Sequence, residues 1–186
     1  MFDPTAFENM KIVVEGALYD KDIEGSLTIL DRNDLFNSSK LSRKYSLSFA
    51  LKNQQNAIMT FSLHAGLINL AAELLPEVNK EKETGCYITI RLLLFHEKEQ
   101  TVFLSLEKLL RNIWGEERKI SQEIRVNPFS EENRLENHLT IFFNRLIKEE
   151  QMDDLVLMID YMEETLRVLN EQKILLPIPS KNIDHY

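Results

Sequence analysis

The stretch KIVVEGALYDKDIEGSLTILD, residues 11–31, can be read in two ways, and the choice decides the fold. Counted from Asp20, it places Asp20, Asp22, Glu24, Gly25 and Asp31 at positions 1, 3, 5, 6 and 12 of a loop. That approaches the calcium loop of an EF-hand, in which oxygen ligands surround the ion and a glycine makes the sharp bend. The twelfth position calls for the long bidentate arm of a glutamate, and Asp31 is one methylene shorter. The flanks fit worse. Gly16 interrupts a β-branched run where an EF-hand needs a stable amphipathic helix, and LTIL inside the loop has the composition of a strand. Two strands joined by an acidic turn account for the whole stretch. Residues 11–20 and 26–31 are therefore predicted to be extended, and a weak calcium site at Asp20, Asp22, Glu24 and Asp31 is the alternative.

Working outward, YSLSFAL (45–51) and AIMTFSL (57–63) alternate apolar with small polar residues and read as a hairpin. AGLINLAAELL (65–75) is helix-forming and stops before Pro76. CYITIRLLLF (86–95) reads as a central strand. Val102, Phe103, Leu106, Leu109, Leu110 and Ile113 repeat at helical spacing, with Gly115 placed to end that helix after Trp114. Trp114 itself reads as a core anchor. Ile120, Ile124 and Val126 alternate with polar residues as a strand. Leu135, Leu139, Phe142, Phe143 and Leu146 then predict a helix started by a Ser130 cap, and Leu155, Ile159, Met162, Leu166 and Leu169 predict a second. A short join would fold these two into an antiparallel hairpin. An earlier start signal, Asp3-Pro4, supports only a turn or two of helix.

The class this implies is α+β: a largely antiparallel sheet of about six strands with helices on one face and a C-terminal helical hairpin. It is read as one domain, with sheet and interspersed helices over 1–129, the hairpin over 130–173 and an extended tail over 174–186. Each strand offers a second face of Ser, Thr or charge, seen in Ser46 and Ser48, Thr60 and Ser62, Thr89 and Arg91, Ser121 and Glu123. Such a face is left to water or to a partner.

Charge narrows the partners. The chain carries 22 basic and 30 acidic residues, and 12 of the acids against 6 bases fall in residues 130–186. This acidity opposes nucleic-acid binding. The one basic cluster, Lys40, Arg43 and Lys44, is too small to outweigh it and reads as a solvated loop. A single cysteine, Cys86, excludes an internal disulfide and reads as a buried thiol. No apolar run approaches the ~20 residues of a membrane helix, and no signal pattern is recognised, so a cytoplasmic location is expected.

Linear catalytic signatures are missing: there is no HExxH, GxSxG, P-loop or GxGxxG, and no pattern identifies a family. His64 and His96 each end a predicted strand and could meet if those strands are neighbours, where a His–carboxylate or His–Ser pair would support acid–base chemistry. His138 and Glu136 would be split across a helix surface. The acids Asp153, Asp154, Asp160, Glu163 and Glu164 read as a solvated helix face. The resulting expectation is an acidic, cytoplasmic protein-interaction or regulatory protein, a homodimer, without a cofactor and more a binder than an enzyme. Its contacts are expected on the polar sheet face at Arg91, Arg125 and Glu123, and the apolar tail Ile174, Leu175, Leu176 and Ile178 either joins them or packs back onto its own domain. An enzyme with a site assembled from His64, Arg91 and His96 is the rival.

Overall fold

A computed structural model describes residues 6–74, 83–129 and 133–179. Helix α1 (Ala6–Glu24) comes first, so residues 11–20 are helical and not the predicted strand. Its buried residues, Phe7, Met10, Val14 and Leu18, recur every three or four positions and form a stripe that packs on the core. Of the β-branched residues that suggested a strand, Val14 lies on that stripe while Ile12 and Val13 lie off it, and Ile12 is 60% exposed. Tertiary burial has overridden local propensity. Gly25, at φ 84°, then ends the helix in the left-handed position that favours glycine. The Ser26 N–H donates to the Lys21 carbonyl and the Gly25 N–H to that of Asp22, both at 3.1 Å, which is the Schellman termination. The glycine that resembled the bend of a calcium loop is a helix stop.

Seven strands follow: β1 (Leu27–Asn37), β2 (Ser42–Leu51), β3 (Gln54–Ala65), β4 (Cys86–Glu97), β5 (Lys119–Arg125), β6 (Arg134–Ile147) and the short β7 (Leu175–Leu176). They form one antiparallel sheet in the order β1-β2-β3-β4-β6-β5, with β7 pairing on β4. Helices α2 (Leu67–Leu74), α3 (Gln100–Trp114) and α4 (Met152–Glu171) complete the chain, with a 3₁₀ turn at Glu149–Gln151 before α4. The α+β class with helices on one face holds.

The first arm of the predicted C-terminal hairpin does not. Residues 134–147 are strand β6, so only α4 of the hairpin exists, and the division at 130–173 gives way to continuity with the sheet. Its stripe fits a helix through Leu135, Leu139, Phe142 and Leu146, but the buried side is Leu135, Asn137, Leu139, Ile141 and Phe143. Asn137 is the polar residue that hid the two-residue period. The proposed Ser130 cap and its neighbours Glu131 and Glu132, Asp3-Pro4 and Pro76 lie outside the described residues.

Alternate residues of the central strands face the helices. Tyr45, Leu47 and Phe49 of β2, Met59, Phe61 and Leu63 of β3, and Ile88, Ile90 and Leu92 of β4 join the stripes of α1, α3 and α4 in one core. Trp114, at the end of α3, donates its indole N–H to Thr165 Oγ1 of α4 at 3.0 Å and is the core anchor expected. The acids of α4 are less idle than a solvated face. Lys21 of α1 binds Asp160 at 3.0 Å and the buried Glu163 at 2.8 Å, tying the two helices together.

Gly16 tests the helical assignment directly, because an added Cβ there meets nothing within 4 Å. Gly16→Ala is expected to stabilise the protein by about 0.5–1 kcal/mol. That corresponds to a Tm gain of roughly 1–4 °C in thermal unfolding. A lower Tm would contradict a helix at residues 11–20.

Candidate binding face

The pleat that sends one set of side chains to the helices sends the other to the opposite side of the sheet. Cross-strand pairing arranges that side in rows. One row runs Asp31, Ser48, Thr60, Arg91, Thr140 and Ser121 through successive strands. A second, one step along, runs Asn33, Ser46, Ser62 and Thr89. A third, on the other flank, holds Ile58, Leu93, His138 and Glu123.

This open face is divided. At one end, Ala50, Ile58, Leu93 and Phe95 form a second apolar cluster with Ile178 of the tail, and Leu30 and Leu176 pack against it. Arg134 fastens the tail by donating Nη2–H to the Pro177 carbonyl, with its guanidinium 4.5 Å over the Phe95 ring. The apolar tail thus packs on its own domain: Leu175 enters the helical-side core and Ile178 the opposite cluster.

Beyond the tail the face is concave and polar. A recess of about 250 Å³ is lined by Lys44, Arg91, Arg125 and His138, by the hydroxyls of Ser46, Ser48, Thr60 and Ser62, and by Asp31 and Asn33. The Ser48 and Thr60 hydroxyls bond at 2.8 Å, and Asn33 Nδ2 donates to Asp31 Oδ2 at 2.5 Å. Glu136 serves one flank, 3.7 Å from Arg125 and 2.5 Å from His138 Nε2. Since β6 is a strand, the two-residue spacing of Glu136 and His138 puts them on the same face instead of splitting them.

Lys44 and Arg91 have no carboxylate partner among the described residues. Burial, and then the charge of Arg91, holds the Lys44 ammonium below the usual lysine range. Two cations therefore share a recess, and neither is ion-paired among the described residues, although Asp31 lines the same recess. The sequence cluster around them is split by the pleat: Arg43 turns to the helical side, where it pairs with Glu8 and Asp34, while Lys44 turns to the open face. Lys40 and Lys44 border a second, adjoining hollow with Leu35, Phe36 and His64.

Of the residues singled out in the sequence, Arg91 and Arg125 do line one recess, and Glu123 lies across from His138 outside it. His64, Arg91 and His96 do not converge. His64 and Arg91 share the open face but differ by four residues of strand, about 13 Å of rise. His96 is fully buried on the helical side. Both histidines end strands that are neighbours, but the strands are antiparallel, so their ends lie at opposite margins. His96 is held in a polar chain: its Nδ1–H donates to the Glu97 carbonyl at 2.7 Å, and Asn137 Nδ2 contacts its Nε2 at 3.1 Å and Gln122 Oε1 at 2.9 Å. Gln122 in turn donates to the Phe103 carbonyl at 2.9 Å. This is a buried structural network in which Asn137 Oδ1 is left without a hydrogen-bond partner among the described residues. Asp20, Asp22 and Glu24 lie in the last turns of α1 and Asp31 on the sheet, and no group of three or more His, Cys, Asp or Glu among the described residues could hold a metal ion. Buried Cys86 has its thiol pushed up to about 12, first by burial and then by Glu73.

No protein-family model matches the chain, and neither a curated protein nor a solved structure matches it. Lys44 and His138 were passed over in the sequence, although the alternation of Ser46 and Ser48, extended back one step, reaches Lys44.

The pair of cations has a measurable signature. Lys44 is expected to titrate below the other lysines in an NMR titration of the Cε resonances, and Arg91→Gln to raise it toward the ordinary value. Because the folded-state value lies below the unfolded one, charged Lys44 disfavours folding at neutral pH, and that penalty fades as pH rises through the lowered value. An unmoved Lys44 in Arg91→Gln would show that the two cations do not interact.

Proposed function

We propose that this protein is a binding protein, not an enzyme, and that its open sheet face receives an acidic, extended segment of a partner protein. The observation that carries this reading is the recess in which Lys44 and Arg91 lack a carboxylate partner among the described residues, in a chain with a formal net charge of −8. Acidic side chains placed there would gain charge-assisted contacts with the cations and relieve the repulsion between them. Four hydroxyls supply further donors and acceptors. The adjoining hollow bordered by Lys40, Leu35 and Phe36 continues the surface toward the β1–β2 turn, so alternating acidic and apolar residues suit it. The tail closes the other end and sets the direction in which a segment can run. We place the protein in a reducing, cytoplasmic setting as part of this reading, with its lone buried thiol as support. No helix among the described residues is long and apolar enough to cross a membrane.

Self-association is a second reading, favoured by β1, which among the described residues pairs only with β2 and carries the exposed Leu35 and Phe36. A second copy adding strand to strand at that edge would make a two-fold dimer. Sedimentation equilibrium decides it: a monomer at all concentrations removes the dimer.

The main reading is tested by fluorescence anisotropy with a labelled peptide of alternating Glu and Leu. Saturable binding is expected, weakening at least tenfold as salt rises from about 50 to 500 mM and lost in Arg91→Glu. A Lys-Leu peptide should not bind. Binding that ignores both salt and Arg91→Glu, or no binding to the acidic peptide, would contradict the proposal.

A further inference from the structure

On the opposite side of the molecule, the helical layer leaves a groove between the C-terminal turn of α3 and the first half of α4, floored by the end of β6. Its volume is about 430 Å³, within the ~300–1,000 Å³ of small-ligand sites. Trp114, Phe143, Leu155 and Met158 make it apolar. Trp114 turns its indole N–H away to Thr165, so the groove meets ring carbon and not a polar atom. Phe143 stands edge-on to Trp114, with ring centroids 5.7 Å apart. Leu157 and Tyr161 lie along the groove and remain 57% and 50% exposed, an apolar margin on α4 that no described segment covers.

Charge gives this groove a polarity. Arg118 and Arg145 both line it. The Arg118 guanidinium lies 4.7 Å over the Phe143 ring and its Nε–H donates to the Trp114 carbonyl at 3.4 Å, which fixes the group at the groove wall. Neither arginine forms an ion pair among the described residues. Facing them is one acid, Asp154, in the first turn of α4. Two guanidinium groups against one carboxylate leave room for one more negative charge. A guanidinium beside an apolar floor binds a carboxylate by its planar fork while the rest of the ligand is desolvated on the rings.

We propose that this groove is a binding site for a small amphiphilic carboxylate, its apolar body laid against Trp114 and Phe143 and its carboxylate held at Arg118 and Arg145. The site is separate from the open sheet face, and neither depends on the other.

Trp114 is the only tryptophan and reports on the groove directly. The full chain is titrated with octanoate below its micelle concentration, following tryptophan fluorescence and the Trp114 indole N–H resonance. A saturable change is expected, with octanol binding at least tenfold more weakly. Arg145→Gln should cut octanoate affinity tenfold or more and leave octanol unchanged. Leu157→Glu, an exposed change that places a second acid at the margin, should weaken octanoate in the same way. Arg91→Glu, on the sheet face, should leave octanoate binding intact, so this test fails or succeeds apart from that of the acidic peptide. Equal affinity for octanoate and octanol, no saturable change, or indifference to both Arg145→Gln and Leu157→Glu would overturn the proposal.

Discussion

The arrangement rests on one constraint: a single antiparallel sheet is covered by helices on one side only. That side is filled by the regular alternation of large apolar residues in β2, β3 and β4, against which α4 packs between α1 and α3. Each large side chain fully buried there contributes about 1.5–3 kcal/mol of hydrophobic stabilisation, set against the entropy of ordering it. The same pleat commits the intervening residues to the opposite side. There the chain has placed serines, threonines and cations, and among the described residues the tail covers one end. Everything said of the site follows from a face that the fold does not fill.

Electrostatics then separates the two sides. On the helical side charges are matched: Lys11 sits 2.9 Å from Glu8 and 2.8 Å from Asp34, Arg32 sits 2.6 Å from Glu15, and Lys21 ties α1 to α4. On the open face Lys44 and Arg91 form no ion pair among the described residues. A half-buried lysine beside an arginine is an arrangement that costs stability and that simple exchange to Gln would relieve. Retaining it makes physical sense where an anion completes the site, which is the argument for a receiving surface. The polar chain of His96, Asn137 and Gln122 is the contrasting case. In the interior its groups bond to one another and to backbone carbonyls, with Asn137 Oδ1 left without a partner among the described residues.

How much of this was legible in the sequence depended on where burial and pattern coincide. The hairpin of β2 and β3, the central β4, the helix ending at Gly115 and the α4 stripe were all readable because alternation or helical spacing matched the buried side. Residues 11–20 misled because Ile12 and Val13 carry strand propensity while Phe7, Met10, Val14 and Leu18 carry the burial. Residues 134–147 misled because a buried Asn137 broke the two-residue period, and its partners His96 and Gln122 are remote in sequence. The site was half legible. Arg91 and Arg125 stood out as charges on a polar face, but Lys44 was hidden in what read as a basic loop. The distance between His64 and His96 could not be read at all, because it depends on strand direction.

The most direct test of the account is to map where an acidic segment lands. Backbone NMR shifts recorded as the Glu-Leu peptide is added should move at Ser46, Ser48, Thr60, Ser62 and Arg91, with α1 and α4 unaffected. Shifts confined to the helical layer, with the serine and threonine rows unmoved, would contradict the claim that the uncovered sheet face is the receiving surface.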